Sequence, residues 1–247
     1  MRQEEDAAAY AALRSFAAET LGMGASEGLY RTVSDLLHRS LAGSQPTWLL
    51  DLGCGPGRTL VDAATAFPRA RVVGLDGSVG ALSVAYAVSR LRGPAVEADL
   101  RRWGFGTRTI EGRALRNVFL LQADAERLPF RVNPVGVDRS WPGFDAVTCV
   151  NLLDRTEDPQ LLLDEVARVT RSGARLVLTT PLNWRQADGR QWDAIRDLDG
   201  LRRAVQLTGF EVELAFDGLV YREILDSRGS ATDWQVAVVS ARRATST

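Results

Sequence analysis

The chain contains no lysine; all 30 of its basic residues are arginine. That absence removes the pyridoxal-phosphate Schiff base and the P-loop lysine, since both need the amine. One histidine, His38, cannot build a multi-histidine metal site, and no metal is expected. Two cysteines, Cys54 and Cys149, give no disulfide framework. Every apolar run falls short of the roughly 20 residues that span a bilayer. Neither sign of charge prevails: the net charge of −1 predicts no bulk attraction to nucleic acid or to an anionic membrane. The opening MRQEEDAAAY is acidic, unlike a signal or transit peptide, so a cytoplasmic protein is the expectation. Arginine in place of lysine, beside abundant alanine, reads as genome composition.

What is present fits one sizeable α/β domain: 247 residues, 45% of them hydrophobic. The chain is organised around WLLDLGCGPGRTL, Trp48 to Leu60. A short apolar run reaches Asp51, then glycines stand at every second position, Gly53, Gly55 and Gly57, around Cys54. An apolar run closing on glycines before a helical pattern predicts strand, tight turn and helix. Glycines let the backbone turn sharply and approach a ligand, and the helix amides beyond face that ligand with the positive end of the dipole. The dinucleotide fingerprint G-x-G-x-x-G would place its third glycine at position 58, which is Arg58. This argues against a nicotinamide-dependent oxidoreductase. A carboxylate beside the loop suits a ligand with a positive group better than a pyrophosphate.

The remaining pattern is read in order. Residues 3–41 predict two helices split at Leu21 to Gly28, a cap over residues 1–45 ahead of a core at 46–247. LVDAATAFP predicts a helix ending at Pro68, and ARVVGLDGS a strand with Asp76 at its carboxyl end. Asp76 lies 23 positions after Gly53, close to the spacing of the acid that holds a ribose in βαβ units, where one carboxylate accepts from both vicinal hydroxyls. Gly77 follows it. VGALSVAYAVSRL is a further helix, and residues 93–116 are an arginine-rich insertion that either lengthens it or makes a flap. NVFLLQADAERLPF predicts a third strand and a turn carrying Asp124 and Ala125; residues 131–143 predict a long loop. FDAVTCV is a fourth strand followed by NLLDR, and DPQLLLDEVARVTRSG a helix with Gly173 as its stop signal. ARLVLTTPLNW is a fifth strand, DLDGLRRAVQLTGF a helix, and the last two apolar-alternating segments a strand pair.

The D-x-G-x-G-x-G stretch, with Asp76 and Asp124 after the next two strands, resembles the first three motifs of class I S-adenosylmethionine (SAM)-dependent methyltransferases. The resemblance covers roughly residues 46–243. It implies a Rossmann-like, seven-stranded, mostly parallel sheet with flanking helices and an N-terminal helical cap that helps shape the acceptor pocket. It implies SAM as cofactor, S-adenosylhomocysteine as product, and no metal. Asp51, Gly53, Cys54, Gly55, Gly57, Asp76, Gly77, Asp124, Ala125 and Asn151 are the implied cofactor residues, with Asp124 meeting the adenine amino group.

NLLDR, Asn151 to Arg155, resembles two groups of histidine N-methyltransferases at this position, the peptidyl-histidine enzymes and the methyltransferase domain of ovothiol synthases. That implies an imidazole acceptor on a small molecule or peptide, with Asn151, Asp154 and Arg155 as acceptor-site residues. A neutral imidazole has a nucleophilic nitrogen, so the site need supply only orientation and an acceptor for the other N–H. The same five residues also suit a strand end and a helix cap. Phenols, sugars and amines remain alternative acceptors. Sugar or phenol O-methylation usually wants a base or a metal, and a base here would be a carboxylate, a tyrosine or His38; Glu223, between Tyr221 and Ile224 at an expected strand end, is either a plain strand residue or a carboxylate that reaches the pocket. Trp184, Trp192, Tyr221 and Trp234 lie in segments that stack on an aromatic acceptor or fill the core. A SAM-binding regulator without catalysis is the reading from another class. A monomer or homodimer is expected, with no nucleic-acid or membrane partner.

Overall fold

The structure, a computed structural model, describes residues 6–22, 27–131, 143–184 and 195–245. Nine strands are described: β1 (Trp48–Leu52), β2 (Arg71–Asp76), β3 (Arg92–Asp99), β4 (Thr107–Arg113), β5 (Val118–Gln122), β6 (Phe144–Val150), β7 (Thr170–Thr180), β8 (Phe210–Ile224) and β9 (Ala231–Arg243). Seven form one sheet in the order β5-β2-β1-β6-β7-β9-β8. The first five pair in parallel, and β9 enters antiparallel between β7 and β8. This is the expected Rossmann-like sheet.

Alternation along each strand assigns its side chains to two faces. Leu50 and Leu52 of β1 join Val147, Leu176 and Val239 under α6 (Pro159–Val169) and α7 (Leu198–Leu207). Leu49 joins Val72, Ala146 and Val177 under α3 (Glu27–Ser40) and α4 (Arg58–Ala66). The helices close both faces, so β6 is buried along nearly its whole length. α5 (Val79–Arg90) is capped at its start by the Ser78 hydroxyl, which accepts from the Ala81 N–H.

The insertion at 93–116 is neither a longer helix nor an unsupported flap. β3 and β4 pair as a separate antiparallel hairpin, joined through a 3-10 turn at Arg101–Trp103. Its inward residues, Ala98, Leu100, Phe105 and Ile110, form a third core with Leu13 and Phe16 of the N-terminal helical segment. That segment runs through α1 (Ala7–Tyr10), a π turn at Ala11–Ser15 and α2 (Ala17–Leu21). The Ser227 N–H donates to the Trp103 carbonyl at 2.8 Å, tying the hairpin to the β8–β9 turn.

One expected boundary is corrected. The helix expected to run to Gly173 ends at Val169, and β7 already begins at Thr170. Thr170 is extended and pairs with Phe144 at the start of β6; Gly173 takes a left-handed φ of 75° inside the strand, beside the register shift between Phe144 and Ala146. Glycine there serves a strand irregularity rather than a helix end. Within the long loop expected at 131–143, residues 132–142 lie outside the described residues, as does Trp192.

Asp145, at the far end of β6 from the glycine loop, accepts from the Thr47 and Trp48 N–H groups at 2.7 and 2.8 Å and from the Thr47 hydroxyl, and pairs with Arg171. Asp145→Ala is expected to cost about 3 kcal/mol, chiefly through orphaned backbone donors, since Arg171 is half exposed. Urea unfolding measures that loss, while SAM affinity should be retained.

Candidate functional site

The turn after β1 behaves as its spacing predicts. Gly53, Gly55 and Gly57 all take left-handed φ values, of 67°, 52° and 92°. A Cβ on Gly53 would lie 2.8 Å from the Leu152 side chain, and one on Gly57 3.1 Å from Ala85, so two of the three glycines also answer close approaches. Gly57 is the N-cap of α4, which directs that helix's first amides toward the loop.

Two cavities flank this loop, both at the carboxyl ends of the parallel strands, where open α/β sheets bind ligands. The larger, about 970 Å³, is lined by Gly53, Cys54, Gly55, Asp76, Asn151 and Arg155 among others. The smaller, about 650 Å³, is lined by Gly53, Asp76, Gly77, Asp124, Ala125 and Arg155. Gly53, Asp76, Leu152 and Arg155 border both. Most of the residues implied from sequence therefore meet along one trough.

Asp76 staples that trough. Its Oδ2 accepts from the Gly55 N–H at 2.9 Å and its Oδ1 from the Ser78 N–H at 2.8 Å. Each carboxylate oxygen retains acceptor capacity toward a ligand. Asp124 accepts from the Glu126 N–H at 2.9 Å, which fixes the turn in the smaller cavity. Asn151 takes a φ of 52°, a conformation asparagine tolerates; its N–H donates to the Thr179 carbonyl and its Oδ1 accepts from the Thr179 hydroxyl at 3.0 Å.

Asp51, Gly57 and Asp154 line neither cavity. Asp51 is buried at 2% exposure behind the loop, its Oδ1 accepting from the Thr148 hydroxyl at 2.8 Å. Its Oδ2 is buried without a hydrogen-bond partner among the described residues. Burial, reinforced by the negative charges of Asp76 and Asp62 and opposed by the Thr148 bond, pushes its carboxyl up to about 7. Asp154 is sealed beneath NLLDR at 1% exposure, its nearest ion-pair distance 3.8 Å, to Arg155. Burial pushes its carboxyl up, with Arg155 offsetting part of the effect.

Of the larger cavity's far wall, the sequence offers Tyr221, Glu223 and Trp234 as candidates and gives no sign of Arg14, Ser15 or Tyr30. Tyr10, Arg14, Ser15 and Tyr30 reach it from the N-terminal helices, and Tyr221, Glu223 and Trp234 from the β8–β9 pair. Tyr221 and Trp234 are register partners, so they stand side by side on one face of that pair. Arg14 and Glu223 form an ion pair across the two elements. Arg58, at the third-glycine position of the other fingerprint, bonds Glu27 and Asp62 and stacks over Tyr30 at 5.3 Å, joining the glycine loop to α3. His38 packs on Phe67 with ring centroids 5.0 Å apart and does not line either cavity. Trp184 donates its indole N–H to the Ile195 carbonyl and packs on the core. Among the described residues, no cluster is arranged to hold a metal ion, and no helix is long and apolar enough to cross a membrane.

A family model described as a methyltransferase domain matches residues 50–178, and the chain belongs to that family. It is a class I SAM-dependent methyltransferase domain. Among curated relatives, it is 29% identical over 146 residues to the ubiquinone biosynthesis O-methyltransferase of Alkalilimnicola ehrlichii, covering 59% of this chain and 46% of that protein. It is 31% identical over 121 residues to the demethylmenaquinone methyltransferase of Renibacterium salmoninarum, covering 49% of this chain and 45% of that protein. The chain thus matches just under half the length of these relatives. Among solved structures, the N-methyltransferase NodS of Bradyrhizobium japonicum, in complex with S-adenosylhomocysteine, aligns with a TM-score of 0.53 and 14% identity over 87% of each chain. The likeness to histidine methyltransferases suggested by NLLDR is not carried by these comparisons.

Proposed function

We propose that this chain transfers a methyl group from SAM to a small molecule with a flat ring. The carrying observation is the trough itself: two cavities that share Gly53, Asp76, Leu152 and Arg155, one ending on Asp124 and Ala125, the other on four aromatic side chains. The chain's residues fit SAM. Asp124 and Ala125 would hold the adenine, Asp76 the ribose, and the glycine loop the methionine end. Asp51, buried behind the loop and lining neither cavity, would act on the methionine ammonium by its charge across the loop and not by contact. When bound, SAM supplies an electrophilic methyl; what the protein supplies is orientation and exclusion of water.

At the other end, Tyr10, Tyr30, Tyr221 and Trp234 give a ring four faces or edges to pack on. Relatives named for ubiquinone biosynthesis and demethylmenaquinone methylation favour a quinone-like ring. The imidazole acceptor suggested by NLLDR would rest on Asn151 at the cavity wall, because Asp154 lies beneath it. It is the competing outcome of the same experiment.

The test is SAM binding by calorimetry, followed by methyl transfer from labelled SAM to hydroquinones, phenols, histidine, thiol-histidine, histidine peptides and sugars, read by mass. One added methyl on a ring compound is the expected result. A methyl on imidazole alone would replace the ring acceptor with histidine. SAM bound with every acceptor unchanged would leave a cofactor-binding regulator.

A further inference from the structure

The far wall of the larger cavity carries an ion pair. Arg14 projects from the π turn and Glu223 from β8, with side-chain exposures of 16% and 19%. Charges this far out of water cost desolvation free energy that their mutual attraction repays only in part. The pair joins the N-terminal segment to β8, whereas Arg222 and Asp233 bridge β8 to β9 on the opposite, exposed face at 2.6 Å. A π turn inserts one residue into a helix and re-aims its side chains, a device that recurs at functional sites. Here it carries Arg14, with Tyr10 under the guanidinium at 5.2 Å.

The other titratable groups on the wall are spoken for. Burial pushes the Cys54 thiol and the Tyr30 and Tyr221 phenols up, so all three stay protonated near neutral pH. Asp76 borders both cavities on the side assigned to the ribose, away from this wall. His38 is elsewhere. Among the described residues, Glu223 is the one carboxylate on the acceptor side of the cavity, facing Arg14, Tyr10 and Tyr30 from the helices and flanked by Tyr221 on its own strand.

We infer that the acceptor group is a ring hydroxyl, of a phenol or hydroquinone, that Glu223 receives its proton, and that Arg14 holds the oxygen as it becomes anionic. The inference rests on the methyl-transfer reading above. The negative end of the ion pair passes from Glu223 to the substrate oxygen, so Arg14 keeps a counter-charge until the methyl is transferred and regains it when Glu223 releases its proton. The O–H bond breaks with its proton on Glu223, the O–CH3 bond forms, and the C–S bond breaks with its electron pair left on sulfur. A neutral ether and a neutral thioether result, and Glu223 returns its proton to solvent.

The first experiment reads ionisation rather than turnover. Protein loaded with S-adenosylhomocysteine is titrated with 4-nitrophenol, whose phenolate absorbance reports its charge when bound. Arg14→Met should reduce the bound phenolate fraction at fixed pH, by loss of the cation. Glu223→Gln should increase it, by removing the competing anion. Absence of nitrophenol binding, unchanged spectra, or shifts in the same direction in both variants overturns the inference.

The second experiment is methyl transfer to a phenol series of graded acidity. Glu223→Gln should lower kcat on the order of 10²-fold for phenols neutral at the assay pH, and far less for those already ionised. Glu223→Asp should recover part of the loss. SAM affinity, unchanged in all three variants, reports that the fold is intact. A protein that binds SAM and methylates only non-phenolic acceptors overturns this inference and leaves methyl transfer standing. A protein that does not bind SAM overturns the reading beneath it.

Discussion

Asp51→Asn is expected to flatten the pH dependence of stability in the ligand-free protein and to weaken SAM binding at once. The Asp51 carboxyl is buried, half-satisfied by Thr148, and pushed from 3.8 to about 7. Between those values the folded protein holds a proton that the unfolded chain has lost. The group's contribution is therefore fully present below about pH 4 and is lost as pH rises through about 7. A shift of that size corresponds to at most about 4 kcal/mol. Asparagine carries no charge at any pH, so the difference in unfolding free energy between the two proteins should change steadily from pH 4 to pH 7 and level off above, in the direction of a relatively more stable variant. Urea unfolding at intervals across that range isolates Asp51, because every other titrating group is common to both. Parallel curves would show that the carboxyl is satisfied by something other than Thr148. SAM affinity of the wild type should rise over the same interval, since an ionised Asp51 suits the methionine ammonium; the asparagine variant should lose that rise. A group that destabilises the free protein and favours its ligand marks a binding site.

Asp76→Ala should weaken SAM binding by about 1–3 kcal/mol, from roughly fivefold to over a hundredfold. The carboxylate holds the Gly55 and Ser78 N–H groups, so its loss releases the loop after β1 from the start of α5 as well as removing acceptors for a ribose. Two variants separate these effects. Asp76→Asn keeps one acceptor oxygen for the loop and should retain more affinity than alanine. Asp124→Ala, in the smaller cavity, should weaken binding without touching the glycine loop. Unchanged SAM affinity in Asp76→Ala would place the cofactor elsewhere on the molecule.

The glycine-loop side of the trough was legible because its geometry is local. Gly53, Gly55 and Gly57 lie within one turn directly after β1, which carries Asp51 near its end, and the turn's left-handed angles follow from glycine itself. Asp76 and Asp124 each follow a strand with apolar runs on both sides, so strand order alone brings them to the same edge of the sheet. On the far wall of the larger cavity, Tyr221, Glu223 and Trp234 were legible as candidates, but the groups they meet were not, for the opposite reason. Arg14 and Glu223 are over 200 positions apart, and their meeting depends on a π turn that no periodicity announces and on a strand pair folding back over the sheet. The hairpin at 92–113 likewise reads as an arginine-rich insertion until its alternate residues, Ala98, Leu100 and Ile110, find Leu13 and Phe16.

NLLDR marks the boundary between the two. Five consecutive residues correctly indicate the carboxyl end of β6, and Asn151, Leu152 and Arg155 do border the trough. Sequence order does not say which of them turns inward. The 3-10 turn at Leu153–Arg155 buries Asp154 and leaves Arg155 at the wall. Sequence by itself determined the sheet, the glycine turn and the edge where the cavities open, because each follows from alternation and backbone geometry over a few neighbouring residues. Only the tertiary structure decided what meets on the far wall of the larger cavity, because that wall is assembled from side chains whose burial and ion pairing exist once distant elements pack.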